Sequence, residues 1–303
     1  MSDNIRVGLI GYGYASKTFH APLIAGTPGM ALAAVSSSDA AKVHADWPSV
    51  PVVSEPKHLF NDPNIDLIVI PTPNDTHFPL AKAALEAGKH VVVDKPFTVT
   101  LSQARELDAL AKSLGRLLSV FHNRRWDSDF LTVKRLLGEG TLGEILFFES
   151  HFDRFRPQVR NRWREQAGPG SGIWYDLAPH LLDQAVNLFG LPVSMTVDLA
   201  QLRPGAQTTD YFHAVLSYPQ RRIVLHGTMV AAAESARYIV HGTRGSYVKF
   251  GLDPQEDRLK NGERLPQEDW GYDMRDGVVT RVEGEELVEE TLLTIPGRSE
   301  ERR

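Results

Sequence analysis

The chain has 303 residues, of which 42% are hydrophobic and 23% charged, and its formal net charge is −5. This length favours two domains, and the composition is that of a globular protein. A negative balance without a long basic run excludes a nucleic-acid or anionic-membrane surface, and the lack of cysteine excludes disulfides and thiolate metal sites. The first residues lead directly into a strand pattern, and no apolar run approaches roughly 20 residues. We therefore expect a cytoplasmic protein.

Residues 1–122 alternate short β-branched runs with amphipathic stretches, which predicts a parallel sheet covered by helices. Helical patterns at Thr76–Ala87 and Ser102–Leu114 end at glycines, and Ser102 is the expected N-cap of the second helix. Six strands in this rhythm predict a doubly wound Rossmann domain. The predicted strands are Ile5–Ile10, Met30–Ser36, Val52–Val53, Leu67–Ile70, His90–Val93 and Leu117–Phe121.

Residues 123–297 follow a different pattern and predict an α+β domain for substrate binding and oligomerisation. One helix includes Lys134–Leu137, and a second runs from Gly172 to about Phe189. Strand patterns around and after them predict a mostly antiparallel open sheet with helices on one face. Residues 253–288 are polar and predict a long, strand-poor surface excursion. The predicted strands are Glu144–Phe152, Ser194–Leu202, Tyr211–Tyr218, Arg222–Val230, Ala236–Gly242 and Ser246–Phe250.

The predicted strand Tyr211–Tyr218 carries apolar side chains on both of its faces. Phe212 and Leu216 alternate with Tyr211 and Val215. One face is expected to cover the helices and the other to bury against a second subunit, so we expect a homodimer.

A glycine-containing loop, Gly11-Tyr12-Gly13-Tyr14-Ala15-Ser16, directly follows the first strand. The first glycine permits a tight turn, and the second lets the backbone approach a pyrophosphate at a helix N-terminus. The third position is Ser16 rather than glycine or alanine, so a purely structural turn is the alternative. Its place in a βαβ unit favours a dinucleotide site. The predicted cofactor contacts are Gly11, Tyr12, Gly13, Tyr14 and Ala15.

The end of the second strand bears on the choice between NADP and NAD. An acidic residue there normally bonds the ribose hydroxyls of NAD, and Asp39 comes too late for that role. The hydroxyls of Ser36 and Ser37, with Lys42 nearby, suit a 2′-phosphate. The alternative is that the serines only cap the next helix. We predict NADP, with NAD as the second choice.

Polar residues collect after the fourth, fifth and sixth strands. In open α/β sheets, ligands bind beyond these carboxyl ends, so the coincidence indicates one site. Further predicted cofactor contacts are Thr72, Pro73, Asn74, His77, Asp94, Lys95, Asn123 and Arg124.

Lys95 lies between the apolar run Val91–Val93 and Pro96. A lysine at a strand end is usually a solvated surface charge. Next to a nicotinamide ring it could instead polarise a substrate oxygen, and partial desolvation would lower its pKa.

Asp176 and His180 are four residues apart on the predicted second helix and therefore share one face. They are either an ordinary surface pair or an acid–base pair, since histidine exchanges a proton near neutral pH. His180 and Asp183 alone are too few ligands for a metal, so no metal site is predicted.

Together, the Gly11-Tyr12-Gly13 loop, the Asp94-Lys95-Pro96 turn and the Asp176…His180 helix resemble the Gfo/Idh/MocA oxidoreductases. The similarity extends to about residue 297. Residues 122–130, with Arg162-Trp163-Arg164, are similar to the branch that contains bacterial NADP-dependent scyllo-inositol dehydrogenases. This branch similarity adds Trp163 to the expected cofactor contacts.

The resemblance implies hydride transfer at a hydroxyl carbon of a sugar or an inositol-like cyclic polyol. It implies that His180 is the general base, while Lys95 and Asp176 orient the substrate and Lys95 also contacts the cofactor. Asp94 stands where the family usually has glutamate. Two alternatives are a non-catalytic nicotinamide-binding sensor or scaffold and a glycosidase-like enzyme that retains NAD. Family members usually continue in a helical segment after the strand ending near Gly297, so residues 298–303 are expected to be the charged tail of a truncated sequence.

Overall fold

The computed structural model describes residues 4–265 and 267–298, which form two compact units. The first unit is built from the described residues of Met1–His122 and Gln255–Glu268, and the second from those of Asn123–Pro254 and Asp269–Ser299. The segment Gln255–Glu268, which the sequence analysis had grouped with the second domain, therefore lies in the first unit. It contains a short helix, Gln255–Lys260.

The first unit contains a six-stranded parallel sheet in the order β3-β2-β1-β4-β5-β6, which confirms the predicted Rossmann fold. The order reverses direction between β1 and β4, where ligands of such sheets bind. The strands are β1 Ile5–Ile10, β2 Met30–Ser36, β3 Val52–Val53, β4 Leu67–Ile70, β5 His90–Asp94 and β6 Leu118–Phe121.

Helices cover both faces of this sheet, and buried apolar side chains of its strands point to both sides. One buried cluster contains Val7, Val69 and residues of α1 and α2, and the other contains Val91 and residues of α3, α4 and α5. The helices are α1 Ala21–Gly26, α2 Ala40–Asp46, α3 Pro56–Asn61, α4 His77–Glu86 and α5 Leu101–Ser113.

The N-cap of α5 differs from the prediction. Thr100, not Ser102, caps this helix, and it forms a full capping box with Gln103. The threonine hydroxyl accepts from the Gln103 amide, and the Gln103 side chain accepts from the Thr100 amide.

The second unit contains an eight-stranded sheet in the order β14-β13-β12-β11-β7-β10-β9-β8. Among the described strands of this sheet only β7 and β10 pair in parallel, so the predicted mostly antiparallel open sheet is confirmed. Two helices accompany it, α6 Ser128–Gly138 and α7 Gly172–Phe189. The strands are β7 Ile145–His151, β8 Ser194–Ala200, β9 Tyr211–Ser217, β10 Arg222–Thr228, β11 Ala236–Gly242, β12 Gly245–Phe250, β13 Gly277–Glu283 and β14 Glu286–Leu292.

The prediction that residues 253–288 are strand-poor is wrong. The hairpin of β13 and β14 begins at Gly277 and turns at Gly284, which has φ +68°. Most side chains of β14 are exposed, and edge strands carry charged residues that blunt pairing with other chains. The hairpin therefore lacks the apolar alternation by which strands are recognised in a sequence.

One face of the eight-stranded sheet packs on α7. Leu177 and Leu181 of this helix join Phe212, Leu216 and Leu225 of the sheet in one buried cluster. The other face carries mainly polar and partly exposed side chains. No helix in the described part of the chain is long and apolar enough to span a membrane.

Candidate active site

The loop after β1 has the shape that a dinucleotide pyrophosphate requires. Gly11 has φ +79° and donates its amide hydrogen to the Ser36 carbonyl over 2.7 Å. At Gly13, no described atom beyond its chain neighbours lies within 4 Å of where a Cβ would stand. The buried hydroxyl of Ser16 has no hydrogen-bond partner among the described residues. Open space above a glycine and an unsatisfied hydroxyl beside it fit a bound phosphate oxygen.

The hydroxyls of the two tyrosines in the loop donate hydrogen bonds to side chains of the protein. Tyr12 is buried and donates to Asp46 over 2.9 Å, while Asp46 also pairs with Lys17 over 2.8 Å. Burial raises the pKa of the Tyr12 phenol, and the Asp46 carboxylate raises it further. Tyr14 is exposed and donates to Glu256 over 3.2 Å. Tyr12 therefore offers a cofactor its backbone rather than its hydroxyl.

The Ala15 backbone follows these tyrosines and leads into a π-helical turn, Ser16–His20, just before α1. Ala15 thus lies at the start of a helical segment, where backbone amide groups are free to donate hydrogen bonds to an anion.

A polar pocket of about 380 Å³ lies at the ends of β1 and β2. Asp39 caps α2 by accepting from the Lys42 amide over 3.0 Å, so part of its carboxylate is used in the fold. The Ser37 hydroxyl bonds the Asp39 backbone at 3.1 and 3.2 Å. In residues 4–265 and 267–298 the Lys42 ammonium has no ion-pair partner. The lining residues are Ile10, Gly11, Tyr12, Ser36, Ser37, Ser38, Asp39, Lys42 and Ser54.

His77 joins two loops at the carboxyl ends of β4 and β5. Its ring is fully buried, with Nδ1 2.8 Å from the Pro96 carbonyl and Nε2 2.9 Å from the Thr72 carbonyl. Both ring nitrogens are thus occupied by backbone oxygens. His77 can position Thr72 and Pro96, but a direct contact between its ring nitrogens and a cofactor would break these bonds.

The rest of the β4 loop consists of Thr72, Pro73 and Asn74. The Thr72 hydroxyl lies 2.6 Å from that of Thr76, and the Thr72 methyl lies 3.6 Å from where a Cβ of Gly11 would be. The short 3-10 turn Asn74–Thr76 then leads into α4, and Asn74 is buried. This loop therefore lies against the glycine loop.

Asp94 and Lys95 lie at the end of β5, beside a histidine that the sequence analysis missed. Asp94 accepts the Lys95 amide over 2.7 Å, and its other oxygen is 3.5 Å from Nε2 of the buried His20. Burial alone would raise the pKa of Asp94, but His20 and Lys95 lower it, so the carboxylate is ionised. A lone histidine in the turn before α1 gave no sequence signal, because its partner lies 74 residues later.

In the second unit, α7 carries Asp176 and His180 one turn apart. Asp176 lies between two arginines, 3.8 Å from Arg154 Nη1 and 3.5 Å from Arg164 Nε. His180 is only 5% exposed, and its ring centroid is 6.3 Å from that of Phe152. The expectation of an ordinary surface pair does not describe a histidine this deeply buried.

The start of α7 depends on a glycine. Gly172 has φ +85°, and a Cβ there would collide with the Thr209 hydroxyl and lie 2.6 Å from that of Thr208. The following amide, of Ile173, donates to the Thr209 carbonyl over 2.9 Å. The strand connection before β9 therefore fixes the helix that holds Asp176 and His180.

The other predicted contacts of the second unit have structural partners. Asn123 is buried in the turn Asn123–Trp126, and Arg124 forms a buried ion pair with Asp127 at 3.1 Å. The Arg164 guanidinium stacks over the Trp163 ring, with its central carbon 4.5 Å from the ring centroid. Arg154 and Arg164 are the partners of Asp176 that the sequence analysis did not assign.

Asp183, the residue considered beside His180 as a metal ligand, has a different partner. It accepts two hydrogen bonds from the Arg125 guanidinium, at 2.6 and 2.7 Å. A bidentate pair of this kind occupies both carboxylate oxygens.

A parallel sheet with this strand order and glycine loop defines a dinucleotide-binding oxidoreductase domain, followed here by a second α/β unit. Two family models match: the oxidoreductase family NAD-binding Rossmann fold over residues 5–122, and the C-terminal alpha/beta domain of the same family over residues 134–301. The chain belongs to the Gfo/Idh/MocA oxidoreductase family.

Several relatives are similar over most of their length. The uncharacterized oxidoreductase YdgJ of Escherichia coli is 89% identical over 98% of this chain and 86% of its own. The NADP-dependent scyllo-inositol 2-dehydrogenase IolW of Bacillus subtilis is 39% identical over 97% of this chain and 83% of its own. The solved structure of YPO2259 from Yersinia pestis has a TM-score of 0.95 at 72% identity, covering 99% of this chain and 85% of its own.

Proposed function

We propose that the protein is an NADP-dependent dehydrogenase or reductase acting on a hydroxyl carbon of a sugar or inositol-like polyol. The observation that carries this proposal is a deeply buried His180 one helical turn from Asp176, in a chain whose other unit is an NAD-binding fold. Proton transfer requires a group such as histidine that exchanges a proton near neutral pH, and Asp176 supplies a carboxylate one turn away on the same helix.

In this proposal His180 removes the hydroxyl proton of the substrate. A hydride leaves carbon only as the adjacent O–H loses its proton, so a base must reach that oxygen. Asp176, which lies between Arg154 and Arg164, accepts a hydrogen bond from a neighbouring substrate hydroxyl. Lys95 donates to the reacting oxygen and stabilises the charge that develops there. The nicotinamide, when bound, supplies the hydride acceptor or donor.

The cofactor proposal is NADP. It is supported by the pocket at the end of β2, in which serine hydroxyls and the Lys42 ammonium replace the acidic residue that NAD requires. Asp39 is present but is engaged in capping α2. Ser37→Asp should lower the affinity for NADP by about tenfold relative to NAD, because two like charges would meet at the 2′-phosphate. Unchanged relative affinities in a fluorescence titration would refute the phosphate assignment.

The substrate proposal, an inositol or related polyol, draws support from the similarity to the Bacillus enzyme named as a scyllo-inositol 2-dehydrogenase. It is tested by following nicotinamide absorbance with inositols, aldoses and their keto forms, each with NADP and NAD separately. Net turnover with a polyol or its ketone is the expected result. Cofactor retained through purification with no net turnover would instead favour the glycosidase-like alternative.

His180→Ala is the decisive variant within this assay. We expect turnover to fall by roughly 10²–10⁴-fold, while NADP affinity is nearly unchanged. His241→Ala is the matched control, since this exposed histidine lies on β11 and bonds only Ser246 among the described residues. A His180→Ala enzyme as active as the parent would remove this residue from the mechanism.

We also propose that the chain forms a homodimer through the face of the eight-stranded sheet that α7 does not cover. Tyr211 and Val215 lie on this face and are only partly exposed. Light scattering after size exclusion measures the mass directly, and a monomer at micromolar concentration would contradict the proposal.

A further inference from the structure

Four polar residues meet on the same uncovered face of the eight-stranded sheet, away from α7. Glu149 and His151 lie two residues apart on β7, and Asp153 lies two residues beyond His151, just after the strand ends. Side chains two apart on a strand share one face, so all three point to the same side. His226 of β10 is directly opposite His151 in the parallel pairing.

The chain stays extended beyond the end of β7, which is why Asp153 keeps this orientation. The Phe152 amide donates to the His226 carbonyl and the Arg154 amide to the Thr228 carbonyl, both over 2.9 Å. Asp153 in turn accepts the Thr228 amide over 3.2 Å. The carboxylate is therefore fixed by the backbone of the neighbouring strand.

The donor atoms of these side chains lie close together. Asp153 Oδ2 is 3.1 Å from His151 Nδ1, and Asp153 Oδ1 is 3.5 Å from His226 Nε2. One donor atom from each of the three residues lies within 4.8 Å of the other two. In a tetrahedral zinc site, bonds of about 2.0–2.2 Å place neighbouring donors roughly 3.3–3.6 Å apart. The two short distances end on different oxygens of Asp153, so small side-chain movements would bring one of these oxygens and the two ring nitrogens to this spacing.

We propose that His151, Asp153 and His226 form a binding site for a divalent transition-metal ion of the zinc type. Two imidazoles and one carboxylate are ligands that zinc accepts, and water completes the fourth position. The three side chains are only 9–17% exposed in the single chain, so the protein itself already shields the ion from most of the solvent.

Glu149 supplies the support that metal-binding histidines require. Its carboxylate lies 2.8 Å from His151 Nε2, on the far side of the ring from Asp153. When the metal displaces the proton between His151 Nδ1 and Asp153, the hydrogen bond to Glu149 keeps the ring proton on Nε2 and leaves the Nδ1 lone pair for the metal. This carboxylate–histidine arrangement distinguishes the cluster from an arbitrary group of surface histidines.

The site is independent of the redox proposal, because none of its residues belongs to the cofactor or substrate machinery described above. Its role is structural: it would tie β7 to β10, the parallel pair in the middle of the sheet. Metal binding to the folded state alone would raise thermal stability.

The test is a zinc titration of the full chain, free of any affinity tag and stripped of metal with a chelator. Isothermal calorimetry should give one Zn²⁺ per chain with micromolar affinity or better, and Tm should rise with zinc. His151→Ala and His226→Ala should each weaken binding at least tenfold. Glu149→Gln, which keeps the ring's hydrogen-bond partner but not its charge, should weaken binding roughly tenfold or more.

His241→Ala is the control, because it removes a histidine of the same sheet outside the cluster and should leave zinc affinity unchanged. Circular dichroism of the metal-free variants checks that each is folded. Cobalt substitution gives a second readout, since the absorption bands of tetrahedral Co²⁺ should be lost in His226→Ala. The proposal is overturned by binding weaker than millimolar, or by equal zinc affinity in the parent, His151→Ala and His226→Ala.

Discussion

The two sheets bury their residues in opposite ways. The parallel sheet of the first unit is covered on both faces, and Val69 and Val91 lie in separate buried clusters at 3% and 1% exposure. The eight-stranded sheet has one covered face, and on the other Val278 is 38% exposed. In a sheet with helices on both faces, polar functional side chains can be placed only at the strand ends. In a sheet with helices on one face, they can also be placed on the other face.

This difference explains where the polar side chains are found. In the first unit Asp94, Lys95 and the glycine loop all follow strands, at the carboxyl edge. In the second unit His151 and His226 project from within strands. The position of a functional group in such a chain thus depends on what covers the sheet beneath it.

The largest effect is expected for the buried charges on the covered side of the second sheet. Arg237 is 2% exposed and pairs with Asp129 at 2.9 Å, while also donating to Ser150 and the His151 carbonyl. Arg237→Ala leaves the Asp129 carboxylate buried without this partner and should cost about 3–5 kcal/mol of unfolding free energy. Urea denaturation measures it.

Lys112→Ala is the control for that variant, since its pair with Asp108 is exposed and should contribute less than about 1 kcal/mol. A similar loss of unfolding free energy in both variants would mean that burial does not determine how much these ion pairs stabilise the fold. The difference between covered and uncovered surfaces would then not extend to ion pairs.

Three matched valine truncations test the contrast directly. Val69→Ala and Val91→Ala each remove two buried methyl groups and should cost about 2 kcal/mol. Val278→Ala removes the same atoms from the uncovered face and should cost less than about 0.5 kcal/mol. The midpoints of chemical denaturation give all three values. A Val278 effect as large as the others would show that the dimer contact proposed at Tyr211 and Val215 of β9 extends across the sheet to β13.

A smaller, pH-dependent effect is expected at the edge of the first sheet. The pKa of Asp94 is lowered in the folded protein, so its ionised form stabilises the fold above the unfolded pKa of about 4. This contribution is lost as pH falls through the folded pKa. Asp94→Asn should therefore cost roughly 1–2 kcal/mol at pH 7 and progressively less below about pH 4.

The parent and Asp94→Asn proteins are compared by denaturation at pH 7, 5, 4 and 3, with equal salt. A stability difference that stays constant over this range would mean that the Asp94 charge contributes nothing to folding. Thr98→Ala, a change at a half-buried position in the same loop, controls for loop disruption.

The same difference in burial between the two sheets determines which elements could be predicted from the sequence. The strands of the first unit were predicted almost to the residue, because burial on both faces makes strands such as β4 and β5 short apolar runs. Lys95 and the glycine loop were found because strand ends are recognisable positions. In the second unit α7 was predicted over its observed range, from Gly172 to Phe189.

What escaped prediction depends on contacts between distant residues. The β13–β14 hairpin is mostly exposed and so has no apolar alternation. His20 could be assigned to the site only once the structure placed it beside Asp94. Arg154 and Arg164 could be assigned only once it placed them beside Asp176. The cluster around His151 required knowing that β7 and β10, about 70 residues apart, are neighbours. Neither spacing nor composition contains that information.

The glycine at the start of α7 has a consequence for how such chains can change over evolution. Position 172 is closed to side chains twice over, by its φ of +85° and by the hydroxyls of Thr208 and Thr209. Loss of these hydroxyls would not relieve the backbone, whereas positions 208 and 209 can change as long as the glycine stays. Among homologous chains, residue 172 should therefore remain glycine even where residues 208 and 209 have drifted.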